Sequence, residues 1–195
     1  SLKFIIHNIN KGLYSRRSTD LFFISKLLTS LLIEKAGCDI IRVSVLDLED
    51  AYALGKIKKQ IHIPLVSDIH FDYRLAIAAA EGGASKIRIN PGNIGGEDKV
   101  RMLADCLKMH HIPVRIGVNS GSIEKDILAK YGGVTPEALA ESAMGHVKLL
   151  NEFDFDDICI LTSSNSQAER IARYLNGCTL KDGRQIQASG RFTTD

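Results

Sequence analysis

Pro64-Leu65-Val66-Ser67-Asp68-Ile69-His70-Phe71-Asp72-Tyr73-Arg74 and, after an alanine-rich run, Lys86-Ile87-Arg88-Ile89-Asn90-Pro91-Gly92-Asn93-Ile94-Gly95-Gly96 form the stretch on which the reading of this chain turns. Leu65 to Val66 and Lys86 to Asn90 read as short buried strands. Each is followed at once by polar residues for which a packed core has no use: Asp68 and His70 after the first, Arg88 and Asn90 with a glycine-rich turn at the second. In a parallel α/β protein the side chains at the carboxyl ends of neighbouring strands converge on one mouth. These groups are therefore expected to share a site, and its chemistry suits an anion.

Outward from that stretch, strand and helix alternate. Residues 1 to 20 show little periodicity and then a basic cluster, Tyr14-Ser15-Arg16-Arg17-Ser18-Thr19, read as a solvated turn. A buried helix is expected from Asp20 to Ala36, with Leu21, Ile24, Leu27, Leu28, Leu31 and Leu32 at three- and four-residue steps and Gly37 ending it. Ile40 to Val45 reads as a strand with Arg42 as a charged intrusion, which either reaches solvent through the mouth or meets a charged ligand. Leu48 to Gln60 is helical, with Ala51, Leu54 and Ile57 inward, and Phe71 to Glu81 and Glu97 to His110 are helical again. Val114 to Val118 is a strand running into Asn119. Ser122 is read as an imperfect capping box opening a helix. Thr135-Pro136-Glu137 opens a cleaner one that extends to Phe153, and Asp157 to Leu161 is a fifth strand. Beyond it come a polar segment, Thr162 to Ser166, one helix over Gln167 to Leu175 and a polar tail. The alternation points to βαβ crossovers and a parallel sheet, the partial form of a TIM-barrel-like (β/α) barrel.

A length of 195 residues suits one domain or one and a half. With 25 Lys and Arg against 23 Asp and Glu the formal charge is only +2, so no nucleic-acid partner is demanded. The apolar run Phe22 to Ile33 is broken by Lys26 and falls short of the roughly 20 residues of a membrane span. No membrane partner and no secretory signal are expected, and the location expected is the cytoplasm. Cys38, Cys106, Cys159 and Cys178 show no Cys-x-x-Cys pair and no histidine at zinc-ligand spacing, so buried reduced thiols are expected and no metal site.

Arg42, Arg88 and Arg115 lie on three different expected strands. A guanidinium is permanently charged and presents a planar fork that matches phosphate oxygens. Three of them inside apolar strands carry a large desolvation cost unless an anion or carboxylates meet them, and a shared phosphate site is weighed above separate salt bridges. Asn90 shares a strand face with Arg88, and Asn119 continues from the Arg115 strand toward the same mouth; their amides suit hydroxyls or phosphate oxygens. Asp68 and His70 share a face and suit hydrogen bonding to a polyol or phosphate. Gly92, Gly95 and Gly96 offer backbone N–H groups to an anion. His62, His110, His111 and His146 are expected on the surface, and Asp72 with Arg74 at a helix start. No residue is assigned a catalytic role.

Three long segments resemble the barrel domain of the 4-hydroxy-3-methylbut-2-enyl diphosphate synthase family: Val66 to Arg74, Arg88 to Gly95, and Arg115-Ile116-Gly117-Val118-Asn119-Ser120-Gly121-Ser122-Ile123-Glu124-Lys125-Asp126. Ala36 to Val43 and Thr135 to Leu139 fit as well, and the resemblance covers about Glu34 to Ile160. It implies an oxidoreductase of the non-mevalonate isoprenoid pathway that reductively opens 2-C-methyl-D-erythritol 2,4-cyclodiphosphate with loss of water. It also implies a TIM barrel for the diphosphate, a separate [4Fe–4S] domain supplied by ferredoxin or flavodoxin, and a homodimer of the full-length protein. By motif, Arg42, Arg88 and Arg115 clamp phosphate oxygens, while Asp68, His70, Asn90 and Asn119 bind or orient the ring and its hydroxyls.

The chain departs from that pattern at both ends. The Gln-Ser-Met-Thr signature of the first barrel strand is missing between Arg17 and Glu34. Leu161-Thr162-Ser163 stands where Ser-Leu-Lys with a substrate-binding lysine is expected, and the cluster-binding cysteine motif is absent. Five of eight barrel strands are evident. The organisation expected is a divergent segment 1–33, a barrel portion 34–161 and a divergent segment 162–195. The alternatives are a non-catalytic phosphate-binding module and a pteroate-synthase-like barrel.

Overall fold

The computed structural model describes residues 4–7, 19–90, 93–118 and 120–160. Six strands form one sheet in which spatial order equals chain order: β1 Phe4–His7, β2 Ile40–Val45, β3 Leu65–Ile69, β4 Lys86–Ile89, β5 Val114–Ile116 and β6 Ile158–Ile160. Every neighbouring pair is parallel. Helices α1 Thr19–Lys35, α2 Leu48–Lys58, α3 Tyr73–Glu81, α4 Glu97–His110, α5 Lys125–Tyr131 and α6 Pro136–Glu152 lie between successive strands, with α5 and α6 together in the last connection. This is the winding of a (β/α) barrel, and among the described residues β1 and β6 do not pair, so the sheet stays open.

Period two sorts the strands into two faces. Ile41, Val43 and Val45, Leu65 and Ile69, Ile87 and Ile89, Val114 and Ile116 are all buried and belong to one core. Ala51, Leu54 and Ile57 of α2, Ala76, Ala79 and Ala80 of α3, and Val100, Leu103, Ala104 and Leu107 of α4 complete it, so the helices cover that face. At roughly 25 cal/mol per Å² of apolar surface removed from water, this layer is the main stabilising term. The residues between those apolar positions face the other way, and they carry the charges.

Local chemistry explains several boundaries. Asp47 accepts a hydrogen bond from Asp50 N at the start of α2, and Asp72 accepts one from Arg74 N at the start of α3. Thr135 accepts from Ala138 N with Pro136 at the first position of α6, as its sequence indicates.

Four expectations need correction. A strand, β1, lies in the stretch read as aperiodic, because so short a run, three apolar residues and His7, becomes a strand only by pairing with β2, Phe4 opposite Ile40 to His7 opposite Val43; six strands, not five, are present among the described residues. The first helix is not buried all round: Ile24, Leu28 and Leu32 are exposed, while Lys26 and Ser30 are buried. Its rotation follows Lys26, whose ammonium must face Asp50 on α2. Ser122 does not cap a helix: α5 begins at Lys125 after Glu124, which makes no side-chain capping bond. His146, expected on the surface, is buried, and its Nε2 lies 3.2 Å from Glu124 Oε1, the carboxylate that is thereby drawn away from capping. Asn119, the basic cluster and everything after Ile160 lie outside the described residues. Among the described residues no helix is long and apolar enough to cross a membrane.

Candidate functional site at the strand ends

The register of the sheet builds a polar row. Ser44 on β2 partners Asp68 on β3, Asp68 partners Arg88 on β4, and Arg88 partners Arg115 on β5. Arg42 stands two residues before Ser44 on the same face, and Asn90 two residues after Arg88. Side-by-side strands are about 4.8 Å apart, so long side chains from adjacent strands meet.

Asp68 is the hub. Its Oδ1 accepts from Arg88 Nη1 at 3.0 Å, and its Oδ2 lies 3.4 Å from Arg42 Nε. The second contact is an ion pair without hydrogen-bond geometry, since Arg42 Nε is buried and makes no hydrogen bond among the described residues. The two arginine side chains are 15% and 16% exposed and the carboxylate 9%, so the trio sits in a partly desolvated recess. Two guanidinium groups share one carboxylate, and the trio keeps one net positive charge.

Gly117, just past β5, completes the seat of Arg88. A β-carbon there would fall 2.4 Å from Arg88 Nε and Nη2. The guanidinium therefore lies flat across a glycine, and any side chain would displace it. Asn90 is buried, and its Oδ1 has no hydrogen-bond partner among the described residues. Leaving such a buried acceptor unsatisfied costs about 1–3 kcal/mol, which a donor on a ligand would recover.

The structure thus brings Arg42, Asp68 and Arg88 into contact and sets Arg115 and Asn90 on the same face. His70 goes elsewhere: it lines a cleft of about 640 Å³ with Leu46, Asp47, Phe71, Asp72 and Arg74. Arg42, Asp68 and Arg88 do not line that cleft. At its rim the Arg74 guanidinium, bonded to Asp72, holds that carboxyl below the usual carboxylate range.

Sequence reading missed a second ionic element just behind the row. Lys26 Nζ donates to Asp50 Oδ1 at 2.9 Å and to Ser44 O at 3.2 Å, and Asp50 Oδ2 accepts from Leu46 N at 2.9 Å. Lys26 stood out in sequence as a charge inside an apolar run. Nothing local indicated that its partner lay 24 residues away.

A parallel (β/α) sheet of barrel winding, with guanidinium groups gathered at its strand ends, defines the broad class. The sequence profile of the GcpE TIM-barrel domain matches residues 24–180, and the chain belongs to that family. Two relatives named 4-hydroxy-3-methylbut-2-en-1-yl diphosphate synthase (flavodoxin) match it closely. The Ruminiclostridium cellulolyticum protein is 56% identical over 142 residues, 73% of this chain and 40% of that protein. The Caldanaerobacter subterraneus protein is 54% identical over 161 residues, 82% of this chain and 45% of that protein. The chain thus spans between 40% and 45% of the length of these two curated relatives. Among solved structures, dihydropteroate synthase from Vibrio fischeri superimposes with a TM-score of 0.57 at 14% identity, covering 92% of this chain and 72% of that one. That likeness shows the fold alone.

Proposed function

We propose that the chain is the substrate-binding barrel portion of a 4-hydroxy-3-methylbut-2-en-1-yl diphosphate synthase. Its ligand is 2-C-methyl-D-erythritol 2,4-cyclodiphosphate, the substrate of the reductive ring opening implied by the resemblance. Residues 34–161 form the binding portion, between divergent segments 1–33 and 162–195, in a cytoplasmic protein.

The observation that carries this reading is the shared carboxylate. Arg42 and Arg88 lie together in a recess with Asp68 between them, and one acid cannot neutralise two bases. A diphosphate supplies the missing negative charge through charge-assisted hydrogen bonds, each roughly twice as strong as a neutral one. Arg115, opposite Arg88 in register, is the third phosphate ligand. Asp68 holds the two guanidinium groups at their spacing and orients the ring, and Asn90 is assigned to its hydroxyls together with Asn119, which lies outside the described residues; His70 lines a different cleft and is left out of this contact.

The described residues do not fit an iron–sulfur cluster. Cys38 is buried with its Sγ donating to Ile40 O, and Cys106 is a buried thiol that burial pushes up in pKa. No group of three His, Cys, Asp or Glu capable of holding a metal occurs among the described residues. Electrons for ring opening belong to a [4Fe–4S] domain outside these residues. Flavodoxin is the donor favoured over ferredoxin because the relatives' names print it, and the full-length protein is read as a homodimer.

Titration calorimetry with the cyclodiphosphate tests the reading. Saturable binding is expected, and no heat at millimolar ligand removes it. A second reading, a phosphate-binding module with no part in catalysis, keeps the same arginine recess. Adding the purified chain to the missing cluster-bearing part separates the two: restored turnover supports the synthase.

A further inference from the structure

Ser44 is not among the ligand-binding residues assigned above, yet it stands in their midst. On β2 it follows Arg42 by two residues, and across the sheet it partners Asp68, which partners Arg88. Period two puts all four side chains on one face. Ser44 is 8% exposed, and its Oγ is buried with no hydrogen-bond partner among the described residues. A hydroxyl in that position has no acceptor or donor there to replace the water it has lost. Asp68, its neighbour in register, takes no hydrogen bond from it, and each carboxylate oxygen of Asp68 already faces a guanidinium.

The backbone at this point is fixed from behind. Lys26 Nζ donates to Ser44 O, and Asp50 accepts from Lys26 and from Leu46 N, so a buried ion pair grips the strand end on both sides of Val45. Removing two charges from water is expensive, and burial of such a pair is weak evidence of a gain in stability. What the pair accomplishes is to set the position of Ser44 and leave its hydroxyl pointing away from the helices.

Ser67 supplies the contrast. Its Oγ is also buried and unpartnered, but it partners Val43 and Ile87 on the helix-covered face, where no ligand arrives. Lack of a partner therefore does not single out Ser44. Its place in the charged row does.

We propose that Ser44 contacts the ligand, its hydroxyl donating to a phosphate oxygen held between Arg42 and Arg88. The inference rests on the diphosphate reading of the site and adds a neutral donor to it. The guanidinium groups supply attraction over several ångströms. A hydroxyl with one proton rewards only an oxygen at hydrogen-bond distance, and so fixes where the phosphate sits.

Calorimetric titrations of the 195-residue chain with the cyclodiphosphate and with inorganic pyrophosphate test this, comparing wild type, Ser44→Ala and Arg88→Ala. Ser44→Ala is expected to weaken both ligands roughly tenfold. Its thermal midpoint should stay level or rise, because alanine removes a buried atom that nothing in the fold satisfies. Unchanged binding of both ligands overturns the proposal, and so does a clear fall in midpoint, which would reveal a partner within the fold. A loss confined to the cyclodiphosphate overturns the phosphate assignment. If Arg88→Ala weakens binding and Ser44→Ala does not, the diphosphate site stands and only this inference falls. Wild type that binds neither ligand removes both.

Discussion

Two charged clusters meet at the end of β2, and they differ in how far they are shut away from solvent. On the helix side, Lys26 pairs with Asp50 at 2% and 1% exposure, and the two also bond to backbone atoms of Ser44 and Leu46. On the other side, Arg42 and Arg88 share Asp68 in a recess still open to solvent. The fully buried pair belongs to the architecture. The unbalanced trio retains charge and a path to water, which are the properties of a binding site.

The most damaging test of that contrast is Asp50→Ala. It leaves Lys26 buried without its counter-ion and is expected to cost about 3–5 kcal/mol in urea unfolding, whereas Lys26→Met with Asp50→Leu should recover most of it. A cost below about 1 kcal/mol would erase the distinction. Next comes Arg88→Ala, expected to lose about 1.5–3 kcal/mol of cyclodiphosphate binding by calorimetry. It should change stability far less than Asp50→Ala, because Asp68 keeps Arg42. Binding equal to wild type would show the trio to be architectural as well.

Gly117→Ala sharpens the comparison without touching a charge. The new β-carbon would fall 2.4 Å from Arg88 Nε, so the guanidinium must move. A smaller loss of affinity than for Arg88→Ala is expected, and none at all would mean that the seat of the guanidinium is irrelevant. Thr135→Ala, which removes no member of either cluster, should cost about 1 kcal/mol of stability by removing the α6 cap. It should leave affinity unchanged.

The smallest effect concerns a third pairing, His146 with Glu124. Burial holds the imidazole below its ordinary pKa of 6.5, outweighing the opposite pull of the Glu124 carboxylate. Because the unfolded chain takes up that proton more readily, this contribution is complete above 6.5 and is lost as pH falls from 6.5 through the depressed folded value. Urea unfolding between pH 7.5 and about pH 5 should show a decline that flattens in His146→Phe. An unflattened decline would assign the pH dependence to other groups.

How much of this was legible in sequence depends on the range over which each feature is encoded. The strands β2 to β6 and the helices between them appear in local periodicity, and the Thr135-Pro136 start of α6 is a pattern three residues long. The polar strand ends at Arg42, Asp68, Arg88 and Asn90 were legible for the same reason, since alternation assigns faces without knowledge of partners. β1 was not, because three apolar residues followed by a histidine do not announce a strand until β2 lies beside them. His146 looked exposed because its surroundings are set by Glu124, 22 residues away, and not by its neighbours on α6.

By itself the sequence determined the order of elements from α1 to β6 and the residues available at the ends of the strands. It also carried the family, through long motifs in unbroken order. Only the tertiary structure decided which charges are shared. Whether Asp68 serves one arginine or two, whether Lys26 faces water or Asp50, and whether Ser44 lies among the guanidinium groups all depend on sheet register and helix rotation. Those quantities are set by contacts between residues some 20 positions apart, which no local pattern records.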